Sequence, residues 1–224
     1  VTVTINGSND AAVLSSGSGV VAEDGALTTG GTLTISDADA GQASFTAQAA
    51  TAGSFGTFTL DVAGAWTYAL NNGAAAVQAL GAGQTLTEMF SVAALDGTTS
   101  SVTVTITGSN DAAVLSSGSG VVAEDGALTT GGTLTIVDAD AGQASFAAQT
   151  ATAGSFGTFT LDAAGAWTYA LNNAAPAVQA LGAGQTLTET FSVAALDGTR
   201  SSVTVTINGS NDEAVLASGS GAVV

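Results

Sequence analysis

The sequence predicts two all-β sandwiches in tandem, and three observations support this fold class. The chain repeats itself at a spacing of 101 residues without a gap, so that Trp66 recurs as Trp167 and Asp37 as Asp138. Short segments alternate between β-branched and small residues, and 30 glycines provide frequent turns between them. Self-similarity at a fixed period is typical of arrays of structural units, which indicates a mechanical rather than a catalytic chain.

Each repeat contains seven predicted strands. Trp66 and Tyr68 share one face of a hairpin arm, and the apolar residues of Val102–Ile106 alternate with threonines, as in half-buried antiparallel strands. In the first repeat, the predicted strands are 12–22 (interrupted by a flexible bulge at 15–19), 32–35, 43–50, 54–60, 65–70, 85–94 and 100–107, with one helical turn at 74–80. Seven strands in about 100 residues are typical of immunoglobulin-like or cadherin-like sandwiches, with the aromatic residues in the core.

The two repeats are predicted at residues 11–111 and 112–212. On this division, residues 1–10 hold the last strand of a preceding repeat (Val1–Ile5), and residues 213–224 hold the first strand of a following one. The chain is therefore expected to be an excerpt from a longer array. Because seven is odd, the chain enters and leaves each sandwich at opposite ends, which predicts end-to-end stacking.

Composition excludes several classes of function. The chain has no cysteine, histidine or lysine, its one basic residue is Arg200, and its net charge is −17. Disulfides, thiol catalysis and the usual general base are therefore excluded, and a chain this acidic repels nucleic acid. No apolar run reaches the roughly 18 residues of a membrane span. A glycosidase with paired carboxylates is also excluded, because the acids lie on turns and recur in both repeats.

Counting strands predicts where the acids lie. Odd strands run towards one end, which we call the lower end, and even strands run towards the upper end. Glu23 and Asp24 follow the first strand and are assigned to the lower end, together with the Asn110-Asp111 linker. Asp37, Asp39 and Asp96 follow even strands and are assigned to the upper end, and Asn71-Asn72 to the lower end.

Where repeats meet, acids from both ends are expected to converge without a basic counter-charge, which requires a cation. Carboxylate and amide oxygens without nitrogen or sulfur donors select Ca²⁺. The predicted calcium ligands at the junction are Glu23, Asn110, Asp111, Asp138, Asp140 and Asp197, and those at equivalent positions are Asn9, Asp10, Asp37, Asp39, Asp96, Glu124, Asn211 and Asp212.

Several motifs resemble a known family. Thr32–Gly41, Gly56–Tyr68, Leu80–Leu86, Asp96-Gly97 and Gly108–Asp111 occur in order and recur one repeat later. Together they resemble the VCBS repeat, a module of very large bacterial surface and RTX-type adhesins. The resemblance covers essentially the whole chain and implies a cadherin-like sandwich and an extracellular or cell-surface location.

The acidic motifs also resemble the calcium motifs of cadherins. By that resemblance, Glu23 matches the early glutamate, Asp138 and Asp140 the Asp-x-Asp motif, Asp197 the late aspartate, and Asn110-Asp111 the linker. One departure is Asn71-Asn72, which stands where cadherins have an acidic pair and lowers the negative charge at that corner.

These observations predict a structural repeat of a bacterial adhesin or extracellular fibre, rigidified by calcium at its linkers. Its partners are neighbouring repeats of the same chain. Two alternatives remain open. One is a glycan- or surface-binding module that uses threonine rows such as Thr103, Thr105 and Thr107. The other is the subunit of a homopolymeric filament, in which overhanging strands such as Val1–Ile5 complete a neighbouring copy.

Overall fold

Two compact units make up the structure, a computed structural model that describes residues 1–214. Of the described residues, the first unit comprises 1–111 together with 139–141, and the second comprises 112–138 and the residues from 142 onwards. Residues 1–12 form no strand, and the assignment of 1–10 to a preceding repeat stays a prediction. Most of the predicted strand at 213–224 lies outside the described residues.

The first repeat contains three sheets, and the predicted strands account for most of their elements. The predicted second strand, 32–35, is shorter than the two segments found there, Thr28–Thr32 and Ile35–Ser36. The first two predicted strands are each split, which gives nine short strands and one helical turn. These are β1 Val13–Leu14, β2 Gly17–Ala22, β3 Thr28–Thr32, β4 Ile35–Ser36, β5 Gln48–Ala52, β6 Gly56–Leu60, β7 Ala65–Leu70, α1 Ala75–Gln78, β8 Thr85–Ala93 and β9 Thr99–Thr107. The predicted third strand, 43–50, lies later in the chain, at β5.

The second repeat has the same elements one period later. They are β10 Val114–Leu115, β11 Gly118–Ala123, β12 Thr129–Thr133, β13 Ile136–Val137, β14 Gln149–Ala153, β15 Gly157–Leu161, β16 Ala166–Leu171, α2 Pro176–Gln179, β17 Thr186–Ala194 and β18 Arg200–Asn208. Pro176 is the first residue of helix α2. Proline fits there because its fixed φ suits a first helical turn and its missing N–H has no partner to lose.

The two larger sheets of the first repeat have the strand orders β2-β9-β8 and β3-β7-β6-β5, and the third sheet is the pair β1-β4. All these pairings are antiparallel except β2 with β9, which run parallel over six residue pairs from Gly17–Val102 to Ala22–Thr107. The chain crosses between the sheets at the break after β1, because β1 pairs with β4 while β2 joins β9. The sequence pattern predicted only antiparallel pairing.

Aromatic residues from both sheets form the core, as the sequence predicts. Phe58 of β6 stacks on Phe90 of β8 with ring centroids 4.7 Å apart, which joins the two sheets. Trp66 is 3 % exposed and Tyr68 is fully buried, and the apolar residues of Val102–Ile106 are fully buried beside them. Large aromatic side chains contribute most of the buried apolar area in a sandwich of this size.

The glycines of residues 15–19 have a different role from the flexible bulge predicted for them. Gly17 and Gly19 lie in β2, and a Cβ atom on Gly19 would come within 2.9 Å of the Trp66 ring. A Cβ on Gly17 would lie 2.9 Å from the Leu33 side chain. These residues are glycine because the tryptophan packs directly on the strand backbone.

A buried carboxylate ties the two sheets together at one edge. Glu88 points inward from β8, and the Tyr68 hydroxyl donates to its Oε2 at 2.6 Å while the Phe55 N–H donates to Oε1 at 2.9 Å. Burial, followed by the hydrogen bond and the negative charge of Glu88, raises the pKa of Tyr68. Glu189 and Tyr169 form the same pair in the second repeat, at 2.9 Å. No sequence pattern predicts this buried pair.

Replacing Trp66 with alanine is expected to destabilise the first repeat by about 3–5 kcal/mol, because a fully packed aromatic ring would leave a cavity. Chemical denaturation followed by circular dichroism measures this loss. Met89→Ala is the control: Met89 is 71 % exposed, so its truncation should change stability by less than about 0.5 kcal/mol. Equal losses in both variants would mean that Trp66 is not a core residue.

Candidate metal centre

Three carboxylates come together at the lower end of the second repeat. Glu124 and Asp125 follow strand β11 and Asp212 follows strand β18, and one oxygen from each lies within 4.8 Å of the other two. Glu124 is buried, whereas Asp125 and Asp212 are exposed. Within residues 1–214, this is the one group of three acids found at that spacing. Asp125 was absent from the ligands predicted from sequence, although its place beside Glu124 in a strand-ending Glu-Asp pair could have signalled it.

The glutamate of each repeat is held from both sides. In the first repeat, the Gln78 side chain donates to Glu23 Oε1 at 3.0 Å, and the Ser109 N–H donates to Oε2 at 3.2 Å. The Glu23 N–H itself donates to the Thr107 carbonyl at 2.9 Å. Helix α1 and the end of β9 thereby fix the glutamate in position. The contacts recur at Glu124, with distances of 3.2 and 3.1 Å.

The aspartate that follows each glutamate adopts a left-handed backbone conformation, with φ of 51° at Asp24 and 53° at Asp125. Asp tolerates this region better than most residues. The Asp24 N–H donates to Asn72 Oδ1 at 3.1 Å, and Asn72 Nδ2 donates back to Asp24 Oδ1 at 2.6 Å. Asn173 makes the same pair with Asp125, at 3.1 and 2.6 Å. A neutral amide thus partners the aspartate where the cadherin pattern has acids.

Negative charge accumulates around Glu23 within the first unit. Burial raises the pKa of Glu23, and the nearby Asp111, Asp24 and Asp140 raise it further, while the hydrogen bond from Ser109 opposes them. The Asp111 N–H also donates to Asp140 Oδ2 at 3.1 Å. Glu23 is only 2 % exposed. A buried carboxylate among like charges favours a proton or a cation.

The upper end of the first repeat gathers a second set of acids. The Asp10 N–H donates to Asp39 Oδ2 at 2.8 Å, and the Asp39 N–H donates to Asp37 Oδ1 at 2.8 Å. Asp37 Oδ2 is buried and has no hydrogen-bond partner among the described residues. Leaving a buried carboxylate oxygen without a partner is costly, which indicates a ligand at this position.

Asp96 lies at the same end and accepts several hydrogen bonds. The Ala12 N–H donates to its Oδ2 at 2.9 Å, and the Thr98 N–H and hydroxyl donate at 2.9 and 2.7 Å. These bonds, led by that from Ala12, lower the pKa of Asp96, and the Asn9 side chain contributes as well. Asp197 receives the same three hydrogen bonds in the second unit, at 2.9, 2.8 and 2.6 Å.

The ends assigned by strand counting are therefore confirmed. At the lower end, Asp24 contacts Asn72 and Glu23 contacts Ser109. At the upper end, Asp10 contacts Asp39 and Ala12 contacts Asp96. The linker asparagines make a different contact: Asn110 and Asn211 donate through Nδ2 to the carbonyl of the next residue, at 2.9 and 3.4 Å. Asp138 belongs to the second unit and Asp140 to the first, so the junction ligand set stays a prediction.

The donor atoms fit a hard divalent cation. Both ends offer only carboxylate, amide and backbone oxygens. The chain's one basic side chain, Arg200, is exposed and lies 3.5 Å from Ser192 Oγ in the second repeat. Oxygen-only ligand sets of this kind match calcium, which accepts six to eight oxygens in flexible geometry.

The chain belongs to the bacterial cadherin-like domain family, whose model matches residues 9–108 and again residues 110–209. Cadherin-like domains are structural and adhesion modules, and membership of this family agrees with a non-enzymatic chain. No protein of curated function matches the sequence.

Solved cadherin structures share the fold. The chain is similar to the extracellular domain of protocadherin gamma B4, with a TM-score of 0.51 and 16 % identity over 88 % of this chain and 32 % of that one. It is similar to the protocadherin gamma B7 EC3–6 cis-dimer structure, with a TM-score of 0.51 and 17 % identity over 89 % and 48 %. It is also similar to Drosophila N-cadherin EC1–4, with a TM-score of 0.50 and 15 % identity over 91 % and 50 %. The chain therefore spans half or less of the length of each of these proteins.

Neither of the short helices within residues 1–214 is long and apolar enough to cross a lipid bilayer.

The raised pKa of Glu23 predicts a pH dependence that calcium should remove. A group whose pKa is raised in the folded state stabilises it fully below the ordinary value of 4.5 and loses that contribution as pH rises through the folded value. In chelator, Glu23→Gln should therefore flatten the fall in stability of the first repeat above about pH 4.5. Fluorescence melts in a Trp167→Phe background, where Trp66 reports on the first repeat, measure this.

The matched control is Asp61→Asn in the first repeat, because Asp61 Oδ1 accepts two hydrogen bonds within its own turn. That control should leave the profile unchanged. If Glu23→Gln leaves the dependence of stability on pH unchanged, Glu23 is not crowded by the neighbouring carboxylates. Asp96 has the opposite effect on stability, because its pKa is lowered in the folded state and its stabilising contribution is lost as pH falls. Since Asp96 is present in every variant compared, its effect cancels in the comparison.

Proposed function

We propose that this chain is a structural repeat segment of a secreted or surface-anchored bacterial adhesin or extracellular fibre, and that calcium bound at the ends of its repeats makes the array rigid. The observation that carries the proposal is the convergence of Glu124, Asp125 and Asp212 within 4.8 Å, in a chain with a single basic residue. Membership of the bacterial cadherin-like family and the resemblance to the VCBS repeat support the same function.

The proposed ligands at the junction come from the linker and from both repeats. They are Glu23, Asn110, Asp111, Asp138, Asp140 and Asp197, and Asp24 is added because its carboxylate lies beside Asn72. Two contacts within the first unit support a shared site: Asp111 donates its N–H to Asp140, and Asp140 contributes to the raised pKa of Glu23. Asn110 would contribute its side-chain oxygen, since its Nδ2 already donates to the Asp111 carbonyl.

The equivalent residues at the upper end of the first repeat and the lower end of the second repeat would each form half of a calcium site. Asn9, Asp10, Asp37, Asp39 and Asp96 would form the upper-end half of a site, where the partnerless Asp37 Oδ2 offers a free ligand atom. Glu124, Asn211 and Asp212, with Asp125, would form a lower-end half. Each half-site supplies two or more carboxylates, so a complete site has enough oxygens for more than one ion.

The proposed mechanism is charge neutralisation coupled to order. Without calcium, the clustered carboxylates repel one another, and the linker has no counter-charge to hold it. Extracellular calcium-binding modules have dissociation constants of about 10⁻⁴ to 10⁻³ M, so the sites would fill outside the cell and empty inside it. The array would then become rigid only after export and would hold a binding domain away from the bacterial surface.

A glycan-binding module is a weaker candidate. Binding platforms for sugars use exposed aromatic rings, and here Trp66, Tyr68, Phe58 and Phe90 are all buried. The threonine row of strand β9 is only partly exposed. The aromatic residues therefore support the fold rather than a sugar-binding surface.

A filament subunit is the second candidate, and one observation favours it. Val1–Ile5 has the same sequence as Val102–Ile106, yet its apolar side chains are exposed and it belongs to no strand in the described structure. A second copy of this chain could pair with such a segment by adding it to a sheet. Light scattering of the full chain and of a variant lacking residues 1–8 would distinguish a polymer from a monomer.

Calcium should raise the melting temperature of the chain. A ligand present at 100 times its dissociation constant adds about 2.7 kcal/mol to stability. Magnesium should add less, because it dehydrates reluctantly and demands a tight octahedron. Calorimetry in calcium, magnesium and chelator measures the shifts, and the triple substitution Glu124→Gln, Asp125→Asn and Asp212→Asn should reduce the calcium shift. Identical melts in calcium and chelator would rule out the metal site.

Rigidity is tested separately by small-angle scattering. Asp138→Asn combined with Asp140→Asn should broaden the distribution of interatomic distances in millimolar calcium while circular dichroism stays unchanged, because both sandwiches remain folded. Wild-type protein in chelator should broaden in the same way. Asp61→Asn with Asp162→Asn removes the same charge at two turn-capping positions and should leave the distribution narrow. If the Asp138/Asp140 variant stays as narrow as wild type, the carboxylates do not make the array rigid.

A further inference from the structure

One asparagine at the lower end of the first repeat is followed by glycine, and its counterpart in the second repeat is followed by alanine. Asn72 precedes Gly73, whereas Asn173 precedes Ala174. Both asparagine side chains make the same two hydrogen bonds with the preceding acidic loop, at 3.1 and 2.6 Å. The two repeats thus offer the same hydrogen-bonded environment with a different residue directly after the asparagine, and the next difference, Ala75 against Pro176, lies three residues after it.

That difference controls a known reaction of the peptide backbone. The backbone nitrogen of the residue after asparagine can attack the side-chain Cγ, which expels ammonia and forms a five-membered succinimide. Water then opens the ring to aspartate or isoaspartate, so the net change consumes one water and releases one ammonia. Glycine allows the attack because it has no side chain to obstruct the approach and few backbone restrictions.

The contacts of Asn72 assist the reaction once the ring begins to close. The Asp24 N–H donates to Asn72 Oδ1, the oxygen that becomes negative in the tetrahedral intermediate, so it stabilises the developing charge. The Asp24 carboxylate lies 2.6 Å from Nδ2, beside the group that leaves as ammonia. Asn72 itself lies in a turn closed by the Ala74 N–H and the Asn71 carbonyl, 3.1 Å apart.

The glycine is not required by the fold. Gly73 does not have a positive φ, and a Cβ added there would meet only Asn71 Oδ1, at 3.9 Å. The second repeat, where Ala174 occupies this position, has the same turn, with the Ala175 N–H 3.0 Å from the Asn172 carbonyl. Glycine at residue 73 therefore changes the reactivity of its neighbour while leaving the backbone as it is.

We propose that Asn72 is a site of spontaneous deamidation, which adds a carboxylate beside Asp24 in the first repeat and leaves its counterpart Asn173 in the second repeat unmodified. The consequence for metal binding rests on the proposed calcium function. An aspartate at residue 72 would face the Asp24 carboxylate where an amide now donates to it. Without a cation the two would repel each other, and with calcium they would provide an additional oxygen ligand.

Peptide mapping by mass spectrometry tests the modification. After incubation of the folded chain at mildly alkaline pH, Asn72 should deamidate at least about tenfold faster than Asn173, which corresponds to about 1.4 kcal/mol in the barrier. Gly73→Ala should slow Asn72 to the rate of Asn173, and Ala174→Gly should accelerate Asn173 to the rate of Asn72. Asn6, which precedes Gly7 in a segment without strand structure, reports the rate of an unrestrained Asn-Gly pair.

Equal deamidation rates at Asn72 and Asn173 in the folded chain would overturn the proposal. So would Gly73→Ala and Ala174→Gly variants in which the two rates stay as they are in the wild type. These readouts do not involve calcium, so they stand whether or not the chain binds it. The consequence is measured on Asn72→Asp, which should melt lower than wild type in chelator and gain more from calcium. If no variant responds to calcium, the proposed function fails while the modification site remains.

Discussion

The absence of basic side chains is the constraint on which the ends of each repeat depend. In most proteins, a buried or crowded carboxylate is balanced by lysine or arginine, and this chain has one arginine for 18 acids. Its acids must therefore be satisfied by backbone N–H groups, as at Asp96, by neutral amides, as at Asp24, or by something from solution. The raised pKa of Glu23, and the Asp37 oxygen that has no hydrogen-bond partner within residues 1–214, mark where the first two kinds of partner are insufficient.

The sandwich core makes that arrangement of acids possible. The aromatic stack between the sheets and the Tyr68–Glu88 pair hold strands in fixed register, so the loops at each end begin and finish at defined positions. Helix α1 then contributes Gln78 to the glutamate, and the end of β9 contributes Ser109. Carboxylates that would separate on flexible loops are thereby kept close together. The stability of the core offsets the electrostatic repulsion between them.

The sequence was informative where a rule of geometry applied. Alternation identified the inward faces around Trp66 and Val102–Ile106, and strand parity placed Glu23 and Asp96 at opposite ends. It was uninformative where a contact depended on distant partners. The packing of Trp66 on the Gly19 backbone, the parallel pairing of β2 with β9, and the pairing of Asn72 with Asp24 at the candidate site all depend on residues 40 or more positions apart. Local patterns cannot specify such pairs.

The parallel pairing also determines how a repeat would respond to tension. The second strand of each repeat and its last strand lie side by side and point the same way, with six residue pairs in register. A pull applied at the two ends of the repeat would load all the hydrogen bonds between β2 and β9 at once, in shear, rather than opening them one after another. In an adhesin of the kind proposed above, this geometry would place the greatest mechanical resistance where force enters and leaves each sandwich.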